Sequence, residues 1–240
     1  MLLAALPLAG CYLLQAGAGQ AGVLARSEPL ATVIADAKTP PVVRERLELA
    51  REARAFAVQE LALPEGRSFR HYADLGRRYA VWNVVATPEF SVEPRRWCFP
   101  IAGCVAYRGY FDESRAQASA RRLERRGDDV AVGGVATYST LGRLPDPVFN
   151  TMLGWADTRF VGTVFHELAH ERLYVQDDSA FNEAFASVVE EEGVRRWLVA
   201  RGDHDGVERY RAAREREAEF AALLRKARAA LARLYASGES

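Results

Sequence analysis

The sequence is short of several things, and each shortage excludes something. Neither charge is in surplus, because 32 Lys and Arg balance 32 Asp and Glu. A chain whose main task is to bind nucleic acid needs a basic excess, so that class is set aside, although a local patch is not. No apolar run approaches the ~20 residues that a membrane-spanning helix requires. Lysine is nearly missing, only Lys38 and Lys226, which reads as coding bias and not as function. Cysteine (3) and histidine (4) are so few that each can be placed individually. No repeat of solenoid period is visible. What is there is a 240-residue chain, 49% hydrophobic and 27% charged. It can bury a core, as one large domain or two small ones.

The N-terminus carries a processing signal. Met1 to Ala9 is an unbroken apolar run, and Leu8-Ala9-Gly10-Cys11 looks like a bacterial lipobox. A run too short to span a bilayer fits a cleaved signal, residues 1–10, with Cys11 acylated. A basic leading segment is missing, as it would be if the true start lay upstream. The other reading of these residues is a buried N-terminal helix with a free cysteine. The lipobox reading places the protein on the periplasmic side of a bacterial membrane, held there by lipid. In that oxidising compartment the remaining cysteines, Cys98 and Cys104, are expected to pair. Pro100 and Gly103 lie between them and allow the chain to turn. A zinc site built on these two is the weaker alternative, since no second cysteine pair exists.

The early chain mixes helices with strands and the late chain is helical, an α+β pattern with a small N-terminal sheet. Helices are expected from Tyr12 to about Ala37 and from Val42 to Leu61, the second with apolar residues at helical spacing. Tyr79–Ala86, Cys104–Tyr110 and Asp129–Thr140 read as strands, with Gly133-Gly134 suggesting a bulge or a close backbone approach. Asp112 caps a helix that Gly127 stops. Three helices follow, over Ala156–Tyr174, Ser179–Arg201 and Asp203–Ala236. The last is dense in charges of both signs and reads as a solvated helix.

Two of the four histidines fall in His166-Glu167-Leu168-Ala169-His170. On a helix, His166 and His170 lie one turn apart on one face and can share an ion about 2 Å from each nitrogen. Glu167, beside them, can reach a metal-held water without ligating the metal. Two histidine ligands and a general base in one turn suit metal-assisted hydrolysis. A third ligand is required, and Asn182-Glu183-Ala184-Phe185-Ala186 supplies it. A short turn at Asp177-Asp178 makes the two helices antiparallel neighbours, so Glu183 faces the histidine pair. Glu190 and Asp178 are next in line for that role. Glu190 lies two turns after Glu183 and is a candidate to accept a hydrogen bond from a ligating histidine, or else part of a solvated acidic face. Without a metal, the helix would have to bury Glu167 beside two histidines with no partner, which is costly.

Tyr79–Phe90, Trp97–Phe111, Ala136–Pro147 and His166–Leu198 together resemble a bacterial family of exported zinc aminopeptidases with a gluzincin-type site. The HELAH and FNEAFA blocks are the most specific of these matches. The resemblance implies a gluzincin-like domain over residues 11–240, shortened at its C-terminus, with one Zn²⁺ per chain and a peptide substrate. The Gly-x-Met-x-Asn exopeptidase motif of better-known gluzincin aminopeptidases is absent. Zincins bind peptide as an added strand, and Val132–Thr140 is the candidate edge. Tyr138 on it is a candidate for stabilising an oxyanion or for packing the cleft wall; Tyr174 is a second candidate, with Tyr107 and Tyr110 behind it. His71 and His204 stand apart as ordinary structural residues. The reading is therefore a lipid-anchored zinc peptidase with His166, His170 and Glu183 as ligands and Glu167 as base. Its rivals are a non-catalytic metal- or peptide-binding scaffold and a zinc amidase acting on cell-wall peptides.

Overall fold

The computed structural model describes residues 6–99, 103–140, 143–176 and 178–238. The first five residues of the apolar run, residues 100–102 between the cysteines and Asp177 of the expected turn lie outside the described residues. In chain order the elements are α1 (Leu6–Leu24), β1 (Ser27–Pro29), α2 (Leu30–Ala35), α3 (Pro41–Glu60), β2 (His71–Ala73) and β3 (Val81–Pro88). Then come β4 (Trp97–Phe99), β5 (Gly103–Val105), β6 (Arg108–Tyr110), α4 (Glu113–Glu124), β7 (Asp128–Val135) and β8 (Val148–Phe149). The helices α5 (Asp157–Arg172), α6 (Ser179–Ala200) and α7 (His204–Ser237) complete the chain. This is mixed α+β, mostly helical with small sheets. Among the described residues no helix is long and apolar enough to cross a membrane.

The chain packs as two compact units. One comprises Met1–Ala16, Val81–Val135 and Glu208–Ser240. Its centre is the antiparallel sheet β6-β3-β7. Helix α4 lays Ala116 and Ala120 on that sheet against Val84 and Tyr110, with Val130 and Val132 packed alongside. Asp112 caps α4 by accepting from the Arg115 N–H, and Gly127, at φ 82°, ends the turn after it in the left-handed region that glycine adopts freely. A second hairpin, β4-β5, sets Cys98 opposite Cys104, and a disulfide joins them. Asp128 accepts two hydrogen bonds from Arg95, at 2.7 and 2.5 Å, which hold its carboxyl below the ordinary range.

The other unit comprises Gly17–Ala80 and Ala136–Val207. Here α5 is the central helix. Phe160, Val161, Val164, Phe165, Leu168 and Ala169 on it are all fully buried. Against it α3 presents small residues, Ala50, Ala53 and Ala57, and the ring of Phe56 stacks on Phe165 at 5.9 Å. Helix α6 packs on another side of α5, and Gly193 makes that possible. A Cβ there would meet Phe165 at 2.7 Å and Leu61 at 2.8 Å. The sheet of this unit, β1-β2-β8, is built from strands of three, three and two residues, too short to show an alternating pattern in the sequence.

Several expectations need correction. The helix expected through Ala37 stops at Leu24, where the Ser27 hydroxyl bonds the Val23 carbonyl. Pro29 then holds the residue before it extended, and Glu28 pairs with Tyr72. The strand expected over Cys104–Tyr110 is two strands, because β5 pairs with β4 and β6 with β3. The strand expected to reach Thr140 ends at Val135. Beyond it the backbone is taken by side chains: the Thr151 hydroxyl bonds the Ala136 carbonyl, and the Thr140 N–H donates to Asp146. The candidate peptide edge therefore ends at Val135 too. Gly133-Gly134 forms no bulge, since the β3–β7 register runs unbroken from Val81↔Val135 to Pro88↔Asp128 and Gly133 faces open space.

Gly193→Ala should destabilise the protein by about 1–3 kcal/mol, the usual range for forcing a methyl into a filled core, although alanine is the better helix former. The shift in urea midpoint at unchanged slope measures it.

Candidate metal centre

The site is assembled on α5 and α6. Helix α5 begins without a side-chain cap, but its first-turn Asp157 is paired with Arg46, which also donates to the Trp155 carbonyl and lies over the Phe160 ring. The helix carries His166 and His170 on one face, with ring centroids 4.9 Å apart. Asp178 caps α6 by accepting from the Phe181 N–H at 3.0 Å. One turn on, Asn182 is buried and acts as a latch. Its side-chain oxygen accepts the Val175 N–H at 2.8 Å, and its amide donates to the Val175 carbonyl at 2.7 Å. This fixes the loop between the helices and so sets where Glu183 stands.

Glu183 stands at the histidines. Its carboxylate oxygens are 3.4 Å from His166 Nε2 and 3.7 Å from His170 Nε2, and the two Nε2 atoms are 3.2 Å apart. Among the described residues His166, His170 and Glu183 form a group that could hold a metal ion, all ligand atoms lying within 4.8 Å of one another. Two nitrogens at about 2.0–2.1 Å from a tetrahedral ion are separated by roughly 3.3 Å, so the observed spacing suits a shared cation. The proton inventory agrees. His166 Nδ1 lies 3.0 Å from Glu190 Oε2. A proton on Nδ1 donated to that carboxylate leaves the Nε2 lone pair directed into the cluster.

Glu190 reaches His166 because α5 has no side chain at Gly162. A Cβ there would meet Glu190 Oε1 at 3.0 Å and Cγ at 3.1 Å. Burial opposes a charge on His166, but Glu190's hydrogen bond and the carboxylates of Glu167, Glu190 and Glu183 outweigh it and raise its pKa. Burial and the neighbouring His166 lower that of His170.

Glu167 is on the same turn but belongs to a different cluster. Burial raises its pKa, against the opposing effects of a hydrogen bond from Ser139 and the charge of His166. The Ser139 hydroxyl also lies 3.1 Å from Asp146 Oδ2. Asp146 is buried, and its pKa is raised for that reason, opposed by the Thr140 N–H and side chain and by Ser139. Its carbonyl accepts the Phe69 N–H at 2.7 Å. Phe69 is itself buried with φ 57°, a left-handed conformation that a bulky residue takes up only under tertiary constraint. Sequence reasoning missed Ser139, Asp146, Asn182 and Gly162. Asn182 next to Glu183 and Gly162 four residues before His166 were the available signals; nothing in the pattern marked Ser139 or Asp146.

The tyrosines divide. Tyr174 lies against His170, centroids 6.5 Å apart, and is exposed. Tyr138 donates to Gln20 at 2.7 Å and its ring tilts onto Phe149. Tyr110 bonds Ser119 in the other unit, where Tyr107 is exposed. His71 lies in β2 and His204 begins α7.

The helix pair thus presents two imidazoles and a carboxylate that could hold one metal ion, with Glu167 beside them. The sequence matches the family described as "Putative aminopeptidase" over residues 11–240, and the chain belongs to that family. No curated protein and no solved structure matches it.

Gly162→Ala would meet the Glu190 side chain at 3.0 Å and the buried Val194 methyl at 3.3 Å, a small crowding that should displace the Glu190 carboxylate from His166 before it disturbs the fold. Metal affinity is expected to fall about 10- to 100-fold, the usual effect of losing such a support, and Glu190→Gln should do the same. Competition with a chromophoric chelator measures both.

Proposed function

We propose that this protein is a zinc-dependent peptidase, and that it acts from a lipid anchor at Cys11 on the periplasmic side of a bacterial membrane. The observation that carries the catalytic reading is the convergence of His166 Nε2, His170 Nε2 and Glu183 on one point while Glu167 stands beside them and outside the ligand set. Zinc is favoured over harder cations because two imidazoles and one carboxylate make a borderline donor set with room for a fourth, non-protein ligand. The family's description supports a peptide substrate.

A bound Zn²⁺ supplies two things, acidification of water and polarisation of a carbonyl. The chain's own residues do the rest. Glu190 keeps the proton on His166 Nδ1. The Glu167 carboxylate accepts the proton of the attacking water and returns it to the leaving amine. Its raised pKa suits both halves of that task, since burial brings its protonated form closer to the working pH than an ordinary glutamate's. Ser139 orients the carboxyl. The exposed Tyr174 ring beside His170 is the aromatic best placed to meet substrate, and it takes precedence over Tyr138, whose hydroxyl is bonded to Gln20.

Two glutamate variants separate the roles. Glu167→Gln should retain metal and lose at least about a hundredfold in turnover, the scale of a positioned general base. Glu183→Gln should lose metal first and activity with it. Zinc content by mass spectrometry and peptide turnover before and after chelation read both. A chain that binds zinc stoichiometrically yet cleaves no peptide in a library would be a binding scaffold instead.

The pH profile tests Ser139. A base with a raised pKa loses activity as pH falls through that pKa, so the acid limb of kcat/KM should lie above the ordinary glutamate value of 4.5. Ser139 lowers the Glu167 pKa by hydrogen-bonding its charged form. Ser139→Ala should therefore move the acid limb further upward while the alkaline limb stays in place.

A further inference from the structure

The unit built on β6-β3-β7 contains a cavity of about 470 Å³ that plays no part in the metal centre. Its apolar wall is aromatic: Tyr12 packs edge-on to Tyr110 at 5.6 Å, and Trp97 borders them. Four arginines also line it. Arg108 enters from β6 with its guanidinium 5.1 Å from the Tyr12 ring and 5.7 Å from the Trp97 ring. Its Nε is buried and has no hydrogen-bond partner. Arg115 and Arg122 come from the exposed side of α4, seven residues apart and so on one helical face, and Arg126 comes from the turn after it.

No carboxylate is among the residues that line the cavity, although Asp112 and Asp128 lie near enough to feel the charges of Arg115 and Arg126. Among the described residues none of the four guanidiniums is in an ion pair. The nearby acids are engaged elsewhere: Asp112 caps α4 and Asp128 is held by Arg95. The polar floor is also satisfied, since Gln15 bonds the Gly109 carbonyl and the Phe111 N–H, and Tyr110 bonds Ser119. The cavity thus sets forked donors beside aromatic rings, and no carboxylate lines it. Guanidinium forks match phosphate oxygens, and several around one cavity exceed what a single carboxylate needs.

We propose that this cavity binds the phosphate group of an anionic ligand, with Tyr12 and Trp97 covering its organic portion. The source argued for is a phospholipid headgroup, because Tyr12 follows Cys11 directly and a lipid anchored at Cys11 would hold the cavity at the bilayer surface. A soluble phosphate ester shares the chemistry and is the other source.

The test uses the full chain and three variants, Arg108→Gln with Arg122→Gln, Arg115→Gln with Arg126→Gln, and Trp97→Leu. Co-sedimentation compares phosphatidylglycerol vesicles with phosphatidylcholine vesicles, so that any anchor contributes equally to both. Calorimetry with glycerol phosphate probes the soluble source. The wild type is expected to prefer phosphatidylglycerol, and each double variant to lose about 25-fold of that preference, roughly fivefold per arginine near an anionic surface. The exposed pair Arg115 and Arg126 cannot unfold the chain, so its loss is free of that ambiguity. Binding to vesicles alone assigns the lipid headgroup; binding to glycerol phosphate as well, lost in the same variants, assigns any phosphate ester. Equal binding to both vesicle types with no heat from glycerol phosphate overturns the proposal, as does an arginine-independent preference. Zinc content and peptide turnover are expected to be unchanged in all three variants, so failure here is separate from failure of the peptidase reading.

Discussion

Everything at the candidate metal centre depends on how closely α6 approaches α5. Two glycines, one on each helix, permit it. Gly193 admits Phe165 and Leu61, and Gly162 admits Glu190. A side chain at Gly193 would have to displace Phe165 or Leu61, and one at Gly162 would push Glu190 away from His166. Glu183, in the second turn of α6, reaches both histidines, and Glu190, two turns on, reaches only His166. Asn182 closes the connection at the end nearest the site. A general feature of metal sites follows: ligands on rigid helices are positioned by packing far from the ligand atoms themselves.

The second constraint is electrostatic. Glu167, Asp146 and Ser139 form a buried cluster in which one hydroxyl proton serves two carboxyl groups. Both carboxyls have raised pKa values because burial penalises their charge. The cluster sets the Glu167 carboxyl next to the histidine pair. The strained Phe69, bonded to Asp146, shows that the surroundings enforce this arrangement and do not merely allow it.

Arginine, almost the only cation, does different work in different places. In the metal-site unit it satisfies backbone carbonyls: Arg54 bonds those of Gly66 and Ser68, and Arg46 that of Trp155. Long α7 uses it in exposed pairs such as Arg211 with Glu208 and Glu215, worth little each. In the aromatic cavity it forms no direct ion pair among the described residues. The same residue type is thus glue, solubiliser and candidate ligand contact, and only its neighbours distinguish these.

The sequence by itself determined the long helices and the identity of the histidine pair, because apolar spacing, caps and a one-turn His repeat are local properties of the chain. It also marked Glu183, since a short turn between two helices leaves little choice of geometry, and it paired the only two internal cysteines. Tertiary structure decided the rest. The sheet β1-β2-β8 arises from strands too short to carry a pattern, and β7 ends where side chains capture its backbone. Glu190 could have been a solvated charge; only the absent side chain at Gly162 brings it to His166. Ser139 and Asp146 lie 28 and 21 positions before Glu167, in a stretch with no periodicity to read. Their meeting depends on long-range packing, which a local reading of residue types cannot contain.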